Sequence, residues 1–550
     1  MKKNSFVEGT IIATIAIVLV KTLGMLYIIP FYATVGSKGS ALYGYAYNIY
    51  NIFLEISAAG LPIAMSKIIN EYNTLGMSEA KVRAFKIGKK LITYISLFCF
   101  VILFVFAREI GTLILGNLSG GNTIEDVAFV IRCVSFAVLI IPFLSITKGY
   151  LQGHKYIGPT SVSLIIEQVI RIVIIILGSY LALKVFDLGL TNAVGVAVFG
   201  AFIGGVAAYL YIAHKMRKNK KALGFVKYEK KDAITDKEIL KKIIYYAVPF
   251  IIINIAVTVY SFTNMVLILR TLNYLNIYSA TEVEFITNAI TTLGTKLNMI
   301  VGALATGLTI SLIPNIVSSY VKKDMKDVER KINKAFQIVL VISIPMTVAL
   351  SIMAKPVWTA FYGVSTYGPI IFRVSIFTAL FANLYMVSGS TLQGLNKFKA
   401  VYLSTLIGFF VNALLDVPLM YGFYKLGLYP FYGALLSTII GYSLSVIIGL
   451  KYLKKVHEIN IKETVKVFIK ILVPTIAMVL VLLLIKYFVP YNVDSRLSSV
   501  LFIILNTLIG SVVYLFIATK MGLMKEIFGQ KMIAKIVKKA TFGLIKLKED

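Results

Sequence analysis

Residues 8–32, EGTIIATIAIVLVKTLGMLYIIPFY, form a long apolar run that is interrupted near its middle by Lys21. A helix of about 20 apolar residues crosses the hydrocarbon core of a bilayer, and this run is long enough to do so. Similar runs recur to the end of the chain, and 58% of its 550 residues are hydrophobic whereas 15% are charged. The sequence therefore predicts an all-α polytopic membrane protein and excludes a soluble enzyme, a secreted disulfide scaffold and a disordered chain.

The apolar runs predict fourteen membrane-spanning helices. The predicted spans are 9–33, 41–65, 90–114, 127–150, 158–183, 190–213, 243–269, 286–317, 334–354, 370–392, 399–423, 432–453, 466–487 and 497–519. With the N-terminus inside, 43 of the 56 Lys and Arg residues lie in inner segments and 7 in outer segments. The positive-inside rule then places both termini on the cytoplasmic side of the membrane. It also explains the net charge of +31 without nucleic acid and predicts contacts with anionic membrane lipids.

An internal repeat predicts how the spans are grouped. The tripeptide Leu-Gln-Gly ends spans 4 and 10, at 151–153 and 392–394, and Gly60-Leu61 matches Gly307-Leu308. Each half contains six spans, so the two halves run parallel and form two six-helix lobes around a central cavity, an architecture typical of transporters. The predicted domains are the N-terminal lobe 1–213, a basic cytoplasmic linker 214–242, the C-terminal lobe 243–454, spans 13 and 14 at 455–522, and a basic cytoplasmic tail 523–550. The tail is expected to lie on the inner leaflet as an amphipathic helix, with a solvated tail as the alternative.

Polar side chains inside the spans are candidates for function, because an ionisable group is costly in hydrocarbon. Lys21 lies in the middle of span 1, and Lys296 lies in span 8 with Thr292 one turn before it. Span 2 carries a polar stripe beside several tyrosines. The candidate ligand-binding residues are therefore Lys21, Lys296, Thr292, Asn48, Asn51 and Glu55. Two lysines and a tyrosine-rich helix suit an anionic, sugar-bearing ligand; the alternative is a structural ion pair between Glu55 and a lysine.

Two further polar pairs are four residues apart and share a helix face. Glu167 and Arg171 in span 5 can neutralise each other, which favours a structural pair over a ligand site. Asn412 and Asp416 in span 11 have no cation nearby in that span, so they predict a Na⁺ or H⁺ coupling site, with helix–helix hydrogen bonding as the alternative. No P-loop motif, zinc-ligand cluster or sizeable extramembrane catalytic segment is found in the sequence, so no enzyme and no other cofactor are predicted.

The stretch quoted above, the segment GSALYGYAYNIYNIFLEISAAGLPIAMSKIINEYN that follows at 39–73, and the Leu-Gln-Gly after span 4 resemble MurJ-type lipid II flippases of Gram-positive bacteria. The stage V sporulation protein B group is similar, and all belong to the multidrug/oligosaccharidyl-lipid/polysaccharide (MOP) exporter superfamily. The resemblance covers essentially the whole chain. It implies fourteen spans in two lobes and a flippase activity.

The resemblance also implies roles for individual residues. In that family, cationic residues of spans 1, 2 and 8 bind the lipid pyrophosphate, and Lys21 and Lys296 match two of those arginines. Tyr27 and Glu55 lie near the positions of two further family arginines, so the cavity is less cationic here. The sodium site of the family matches Asn412 and Asp416, and Asn254 is the residue nearest to its span 7 acid.

Together these observations predict a monomeric secondary transporter with no nucleic-acid partner. It would move an undecaprenyl-pyrophosphate-linked peptidoglycan precursor, lipid II, to the outer leaflet by alternating access, driven by an ion gradient or the membrane potential. One alternative is a flippase for another polyprenyl-linked polysaccharide. Another is a drug/cation antiporter of the same superfamily, which would favour acidic rather than basic residues in its cavity.

Overall fold

The computed structural model describes residues 6–226, 228, 232–302, 316–317, 319–320 and 322–530. All regular elements in these ranges are helical, which confirms the predicted fold class. The α-helices are α1 (Phe6–Leu26), α2 (Ile28–Leu54), α3 (Leu61–Thr74), α4 (Ser78–Val105), α5 (Ala107–Leu115), α6 (Ile124–Gly153), α7 (Ile157–Val173), α8 (Leu190–Lys218), α9 (Asp236–Leu275), α10 (Ala280–Asn288), α11 (Met325–Ile352), α12 (Ala354–Tyr362), α13 (Gly368–Gly394), α14 (Phe398–Lys425), α15 (Phe431–His457), α16 (Lys462–Phe488), α17 (Arg496–Lys520) and α18 (Leu523–Phe528). Short π-helical segments occupy Glu55–Ala59, Ile174–Gly178, Leu181–Val185 and Ala289–Leu293.

Among the described residues, eleven helical runs are long and apolar enough to cross a membrane. The first run, Ile12–Thr74, is 63 residues long and contains both predicted spans 1 and 2. It is bent rather than straight, because Gly36 adopts a φ of 67° that continues no helix. Predicted spans 7 and 8 are not among the eleven runs, and span 8 extends beyond the described residues. The protein is a multi-pass membrane protein, and the count of fourteen spans stays a prediction.

Three helix starts are encoded by the same local motif. Thr123, Thr235 and Ser279 are the N-caps of α6, α9 and α10, and each hydroxyl accepts a hydrogen bond from the backbone N–H three residues on. The acidic side chain at that position accepts from the N–H of the cap in return, so two otherwise unpaired donors are satisfied. These capping boxes fix where α6, α9 and α10 begin.

The internal repeat is supported by a matched pair of broken helices. Helices α4 and α11 are both 28 residues long, and each is followed after one residue by a nine-residue helix, α5 or α12. The breaks fall at Phe106 and Met353, and the short helices end at Gly116 and Gly363, which have φ values of 60° and 83°. The turn after Leu-Gln-Gly is also shared, because Lys155 and Asn396 both adopt a left-handed conformation. The two halves therefore repeat details of backbone conformation as well as short sequence motifs.

The chain forms two compact units, and each has its own core. Unit 1 comprises Met1–Lys296 and Phe409–Ser437, and its largest buried side chains, including Tyr72 and Tyr150, join α3, α4, α6, α8 and α9. Unit 2 comprises Leu297–Gly408 and Thr438–Asp550, and its core joins α11, α16, α17 and α18. The predicted lobes 1–213 and 243–454 are defined by sequence symmetry rather than by these contacts, and they stay a prediction.

The start of the predicted tail lies against the bundle of unit 2. Leu523 and Ile527 of α18 are buried in the core of that unit, and Glu526 forms an ion pair with Lys470 at 2.7 Å. The first residues of the tail therefore pack against unit 2, and the placement of the tail on the inner leaflet stays a prediction. The remainder of the predicted amphipathic helix, 531–550, lies outside the described residues.

Candidate functional site

Tyrosine side chains line one face of α2. The rings of Tyr43 and Tyr47 stack with centroids 5.6 Å apart, and Tyr50 follows with its ring centroid 5.9 Å from that of Tyr47. Tyr27, at the break between α1 and α2, places its hydroxyl 3.2 Å from the hydroxyl of Tyr43. Tyr27, Tyr43 and Tyr50 are buried and Tyr47 is partly exposed, so the four rings form a rigid packed surface on which Tyr47 is the ring that can contact a ligand.

Lys296 lies against this aromatic surface. Its Nζ atom is 5.2 Å from the ring centroid of Tyr27 and 5.7 Å from that of Tyr47, which is cation–π geometry. The side chain is partly buried, and no carboxylate of the described residues forms an ion pair with it. We call Tyr27, Tyr43, Tyr47 and Lys296 the tyrosine–lysine cluster; its positive charge is held in place by ring faces and is available to an anion.

The helix before Lys296 packs closely on α2. A Cβ atom on Gly44 would lie 2.6 Å from Oγ1 of Thr292 and 2.9 Å from Oδ1 of Asn288, so only glycine fits at this crossing. Asn288 also donates a hydrogen bond to Oγ of Ser40 at 3.0 Å. Thr292 is 6% exposed and is therefore part of the helix contact that positions Lys296.

The predicted polar stripe of span 2 consists of Asn48, Asn51 and Glu55, and these residues have different surroundings. Asn48 donates to the carbonyl of Gly44 at 2.9 Å and accepts from Ser261 at 3.2 Å, so it joins α2 to α9. Glu55 opens a π-helical turn and hydrogen-bonds to the side chain of Asn254. Asn51 is partly buried. The resemblance implies that Asn254 belongs to the ion site with Asp416. In the structure the side chain of Asn254 is hydrogen-bonded to Glu55, and its place in the ion site stays a prediction.

Lys21 lies on α1, which packs along α7, and its side chain is partly buried. On α7, Glu167 binds Arg171 at 2.9 Å as predicted, and it also binds Lys148 of α6 at 3.0 Å. The three side chains are each only 13% or 14% exposed. One carboxylate thus holds two cations, so the group carries a net positive charge instead of being neutral.

Lys148 was not predicted as a partner of Glu167, because the charge count placed it in an inner loop. In the structure α6 extends through Gly153 and includes Lys148. The guanidinium of Arg171 lies within electrostatic range of the hydroxyls of Tyr43, Tyr47 and Tyr50. The net charge of the Lys148–Glu167–Arg171 group therefore acts on the same tyrosine face as Lys296. Lys148 and Glu167 lie on different helices, so their separation in the sequence did not indicate that they form an ion pair.

Asp416 and Asn412 lie together and are both fully buried. The hydroxyl of Ser437 on α15 donates to Oδ1 of Asp416, and Nδ2 of Asn412 donates to Oγ of Ser437 at 3.0 Å. Oδ2 of Asp416 has no hydrogen-bond partner among the described residues. We call Asn412, Asp416 and Ser437 the Asp416 cluster; Ser437 was not predicted because it lies on the next helix.

A second buried carboxylate lies at the end of unit 1 that the charge pattern places outside. Glu284 of α10 is 1% exposed and accepts hydrogen bonds at 2.9 Å from both the backbone N–H and Nδ2 of Asn122. Burial raises the pKa of Glu284 to about 7, against the opposing effects of the Asn122 donors and the nearby Lys38. Arg270 of α9 donates to the carbonyl of Leu113 at 2.6 Å. The end of α5 is thus fastened to α9, and the loop after α5 is fastened to α10.

Residues 6–306 match the family model described as polysaccharide biosynthesis protein. Lipid II flippase MurJ of Bacillus subtilis (strain 168) is 31% identical over 543 residues, which cover 96% of this chain and 98% of that protein.

Two solved structures extend the comparison to the fold. A structure of lipid II flippase MurJ in an inward closed conformation aligns with a TM-score of 0.67 at 18% identity, covering 93% of this chain and 99% of that one. An inward-facing multidrug resistance MATE transporter of the MOP superfamily aligns with a TM-score of 0.62 at 16% identity, covering 83% and 99%.

The chain has the all-helical fold that these MurJ and MATE structures share. The chain belongs to the polysaccharide biosynthesis protein family, in the group that includes the MurJ flippases.

Proposed function

We propose that this protein is a flippase that moves lipid II from the inner to the outer leaflet of the bacterial plasma membrane. The observation that carries the proposal is Lys296, a partly buried cation held against two tyrosine rings without an ion-pair partner among the described residues. The 31% identity to a protein named lipid II flippase MurJ supports this choice of ligand.

A pyrophosphate suits this arrangement chemically. It carries at least about two negative charges, and a lysine about 4 Å away would attract each with roughly 4 kcal/mol at an effective dielectric constant near 20. Lys21 would supply a second cation, and the Lys148–Glu167–Arg171 group adds a net positive charge to the same face. The partly exposed ring and hydroxyl of Tyr47 would contact the sugars next to the pyrophosphate.

Release of the ligand on the other side requires alternating access and an energy source. We propose that Asp416 and Asn412 bind Na⁺ or H⁺ and couple its gradient, or the membrane potential, to transport. A carboxylate without surface exposure needs a counter-charge or a proton, and Oδ2 of Asp416 has no other partner among the described residues. Hydrogen bonding between α14 and α15 through Ser437 is the competing role.

The remaining parts of the proposal concern the state of the protein in the membrane. We propose that it acts as a monomer, with both termini in the cytoplasm and with anionic lipids around its basic inner loops. A cysteine placed at Asn117 should react with an impermeant reagent in intact cells, whereas one at Asn219 should not. Labelling at position 219 would overturn this orientation.

The decisive test is transport by the purified protein in liposomes, together with growth of a bacterial strain depleted of its own lipid II flippase. Wild-type protein should restore growth and should flip lipid II. If it instead flips only another polyprenyl-linked glycan, the substrate assignment is wrong and the flippase class stands. If it exports cationic drugs and no lipid, the protein is an antiporter and the proposal fails.

A further inference from the structure

A basic cavity lies at the predicted cytoplasmic end of unit 1, away from the tyrosine–lysine cluster. It has a volume of about 750 Å³ and opens among α4, α6, α8 and the segment that follows α8. Thr147, which is 1% exposed, lies in its lining, whereas Arg217 and Lys220 in the same lining are exposed. The cavity therefore reaches from a buried surface to a cationic mouth.

One side of the cavity is held in place by aromatic packing. Phe225, from the segment after α8, lies with its ring centroid 5.5 Å from that of Tyr150 and 6.1 Å from that of Phe85. The hydroxyl of Tyr150 donates to the carbonyl of Leu223 at 2.7 Å, and Leu223 is fully buried. This segment is thus anchored on the helices, and Phe225 has a fixed place in the lining.

Lys89 is positioned inside the cavity. Its Nζ atom donates to the hydroxyl of Tyr209 at 3.1 Å and lies 5.1 Å from the ring centroid of Phe85. The side chain is partly buried, and its contacts are aromatic or hydroxyl groups rather than carboxylates. Its positive charge is therefore not neutralised by the residues that hold it.

The acidic residues near this end of α4 are bound elsewhere. Glu79 and Asp236 both form ion pairs with Arg83, at 3.0 and 3.1 Å, and Asp232 accepts from the backbone N–H of Ala80 at 2.7 Å. Among the described residues that line the cavity, none is acidic. Lys89, Arg217 and Lys220 thus face one space without a carboxylate in it, and an anion is the ligand that this space would bind.

The rim of the cavity indicates what carries that anion. Leu210 lines the same space and is 62% exposed, so an apolar side chain borders the cations at the predicted membrane surface. Tyr209 beside it presents both a ring and a hydroxyl, as is common at the headgroup level of membranes. We propose that this cavity is a second ligand site, which binds the phosphate of an anionic headgroup next to the inner leaflet.

The proposal is tested with full-length purified protein in neutral detergent. Dihexanoyl phosphatidylglycerol is titrated as the lipid probe, inorganic phosphate as the soluble probe, and dihexanoyl phosphatidylcholine as the zwitterionic comparison. Saturable binding of phosphatidylglycerol alone would identify a lipid headgroup as the source. Equal binding of inorganic phosphate, with mutual competition, would identify a soluble phosphate compound. If neither probe saturates the wild-type protein, the proposal is wrong.

Two matched double variants locate the site. Arg217→Gln with Lys220→Gln removes two charges from the lining and should weaken binding about tenfold or more, at about 1 kcal/mol per cation near a membrane surface. Lys215→Gln with Lys218→Gln removes two charges from the last turn of α8, outside the lining of the cavity. This double variant should change the affinity less than about twofold. Equal losses in both variants would mean a diffuse basic surface and would overturn the proposal.

A third variant tests the space itself without changing any charge. Ala213 lines the cavity, so Ala213→Phe should fill part of it and weaken binding while all cations remain. Thermal unfolding of each variant provides the control for folding. Unchanged affinity in a stably folded Ala213→Phe protein would show that the cavity is not the binding place.

Discussion

The tyrosine–lysine cluster and the Asp416 cluster are both polar groups within unit 1, and they hold opposite charges in opposite ways. Lys296 is partly exposed and lies on ring faces, whereas Asp416 is fully buried and is hydrogen-bonded by Ser437. An aromatic support leaves a cation able to bind a large anion. A sealed carboxylate has room only for a proton or a small ion. The contrast separates a place suited to a bulky ligand from one suited to a coupling ion.

The largest effect is expected at Lys296. Lys296→Gln keeps a polar side chain that is one atom shorter and removes the charge, so it should reduce lipid II transport at least about 100-fold, given roughly 4 kcal/mol per charge pair. Lys296→Arg should retain part of the activity, because a pyrophosphate offers several oxygens to a guanidinium. The measurement is flipping in liposomes together with rescue of growth.

Lys425→Gln is the matched control for this substitution. Lys425 also lies over a tyrosine, 5.0 Å from the ring centroid of Tyr421, but it is exposed at the end of α14. The Lys425→Gln protein should transport lipid II at the normal rate. If Lys296→Gln behaves like Lys425→Gln, the tyrosine–lysine cluster is a packing feature and its assignment to the ligand fails.

Lys21 needs a different test, because Glu55 could be its structural partner. If Lys21 binds the pyrophosphate, Lys21→Gln should abolish rescue, and adding Glu55→Gln should not restore it. If the lysine only neutralises the carboxylate, the double variant should recover function because both unpaired charges are gone. Recovery would leave Lys296 as the cation that defines the site. Growth rescue at matched expression levels is the measurement.

The sequence identified the charged residues inside the spans but not the residues on other helices that contact them. Mid-span lysines and a buried acid are visible as charges in apolar runs, so Lys21, Lys296 and Asp416 could be found without a structure. Lys148 and Ser437 could not, because each acts across a helix–helix contact whose register no short motif encodes. The hydrogen bond between Asn254 and Glu55 was not visible either, because the two residues lie on distant segments, and the place of Asn254 in an ion site stays a prediction.

The boundaries of the helices show the same contrast between local sequence patterns and long-range packing. Capping boxes at Thr123, Thr235 and Ser279 are local patterns, and they fix helix starts that apolar runs define only within a few residues. The break at Met353 is marked locally by Pro356, which cannot donate to the carbonyl of Ile352, whereas no glycine or proline lies within four residues of the break at Phe106. Both breaks also depend on packing of the following nine-residue helices, which becomes visible only when the two halves are compared in three dimensions.

A smaller effect is expected at Asp416. Asp416→Asn is nearly isosteric but cannot carry the charge that binds an ion, so transport should fall about tenfold and lose its ion dependence, on the scale of about 1.4 kcal/mol. Ser437→Ala removes one hydrogen bond and keeps the carboxylate, so ion dependence should remain. If Asp416→Asn transports with unchanged rate and ion dependence, the cluster only joins helices.

The next effect concerns the helix crossing that positions Lys296. Gly44→Ala places a methyl group 2.6 Å from Oγ1 of Thr292, and such overpacking costs about 1–3 kcal/mol of stability. Thr292→Ala in the same chain removes the overlapping oxygen and should recover part of the loss. Thermal unfolding measures both variants. A Gly44→Ala protein with wild-type stability would mean that the two helices can separate without cost.

The smallest effect is a dependence on external pH at Glu284. Its pKa is about 7 when Asn122 is docked on it, and an undocked glutamate would return towards its ordinary value near 4.5. Between these values the docked form binds more protons than the undocked form, so docking is favoured as pH falls through this window and weakened as pH rises towards 7. Lys38 and Asp126 are the charged groups that also act on Glu284.

Spin labels at the exposed positions Ser119 and Thr281 report this docking as an inter-label distance. The short-distance population should increase when the pH is lowered from about 8 to about 6, by at most about tenfold per pH unit for a single group. Glu284→Gln keeps the hydrogen-bonding oxygen but does not titrate, so its distances should be the same at both pH values. A pH response that persists in Glu284→Gln would assign the titration to another group. The Asn122 contacts would then hold the loop independently of the charge at Glu284.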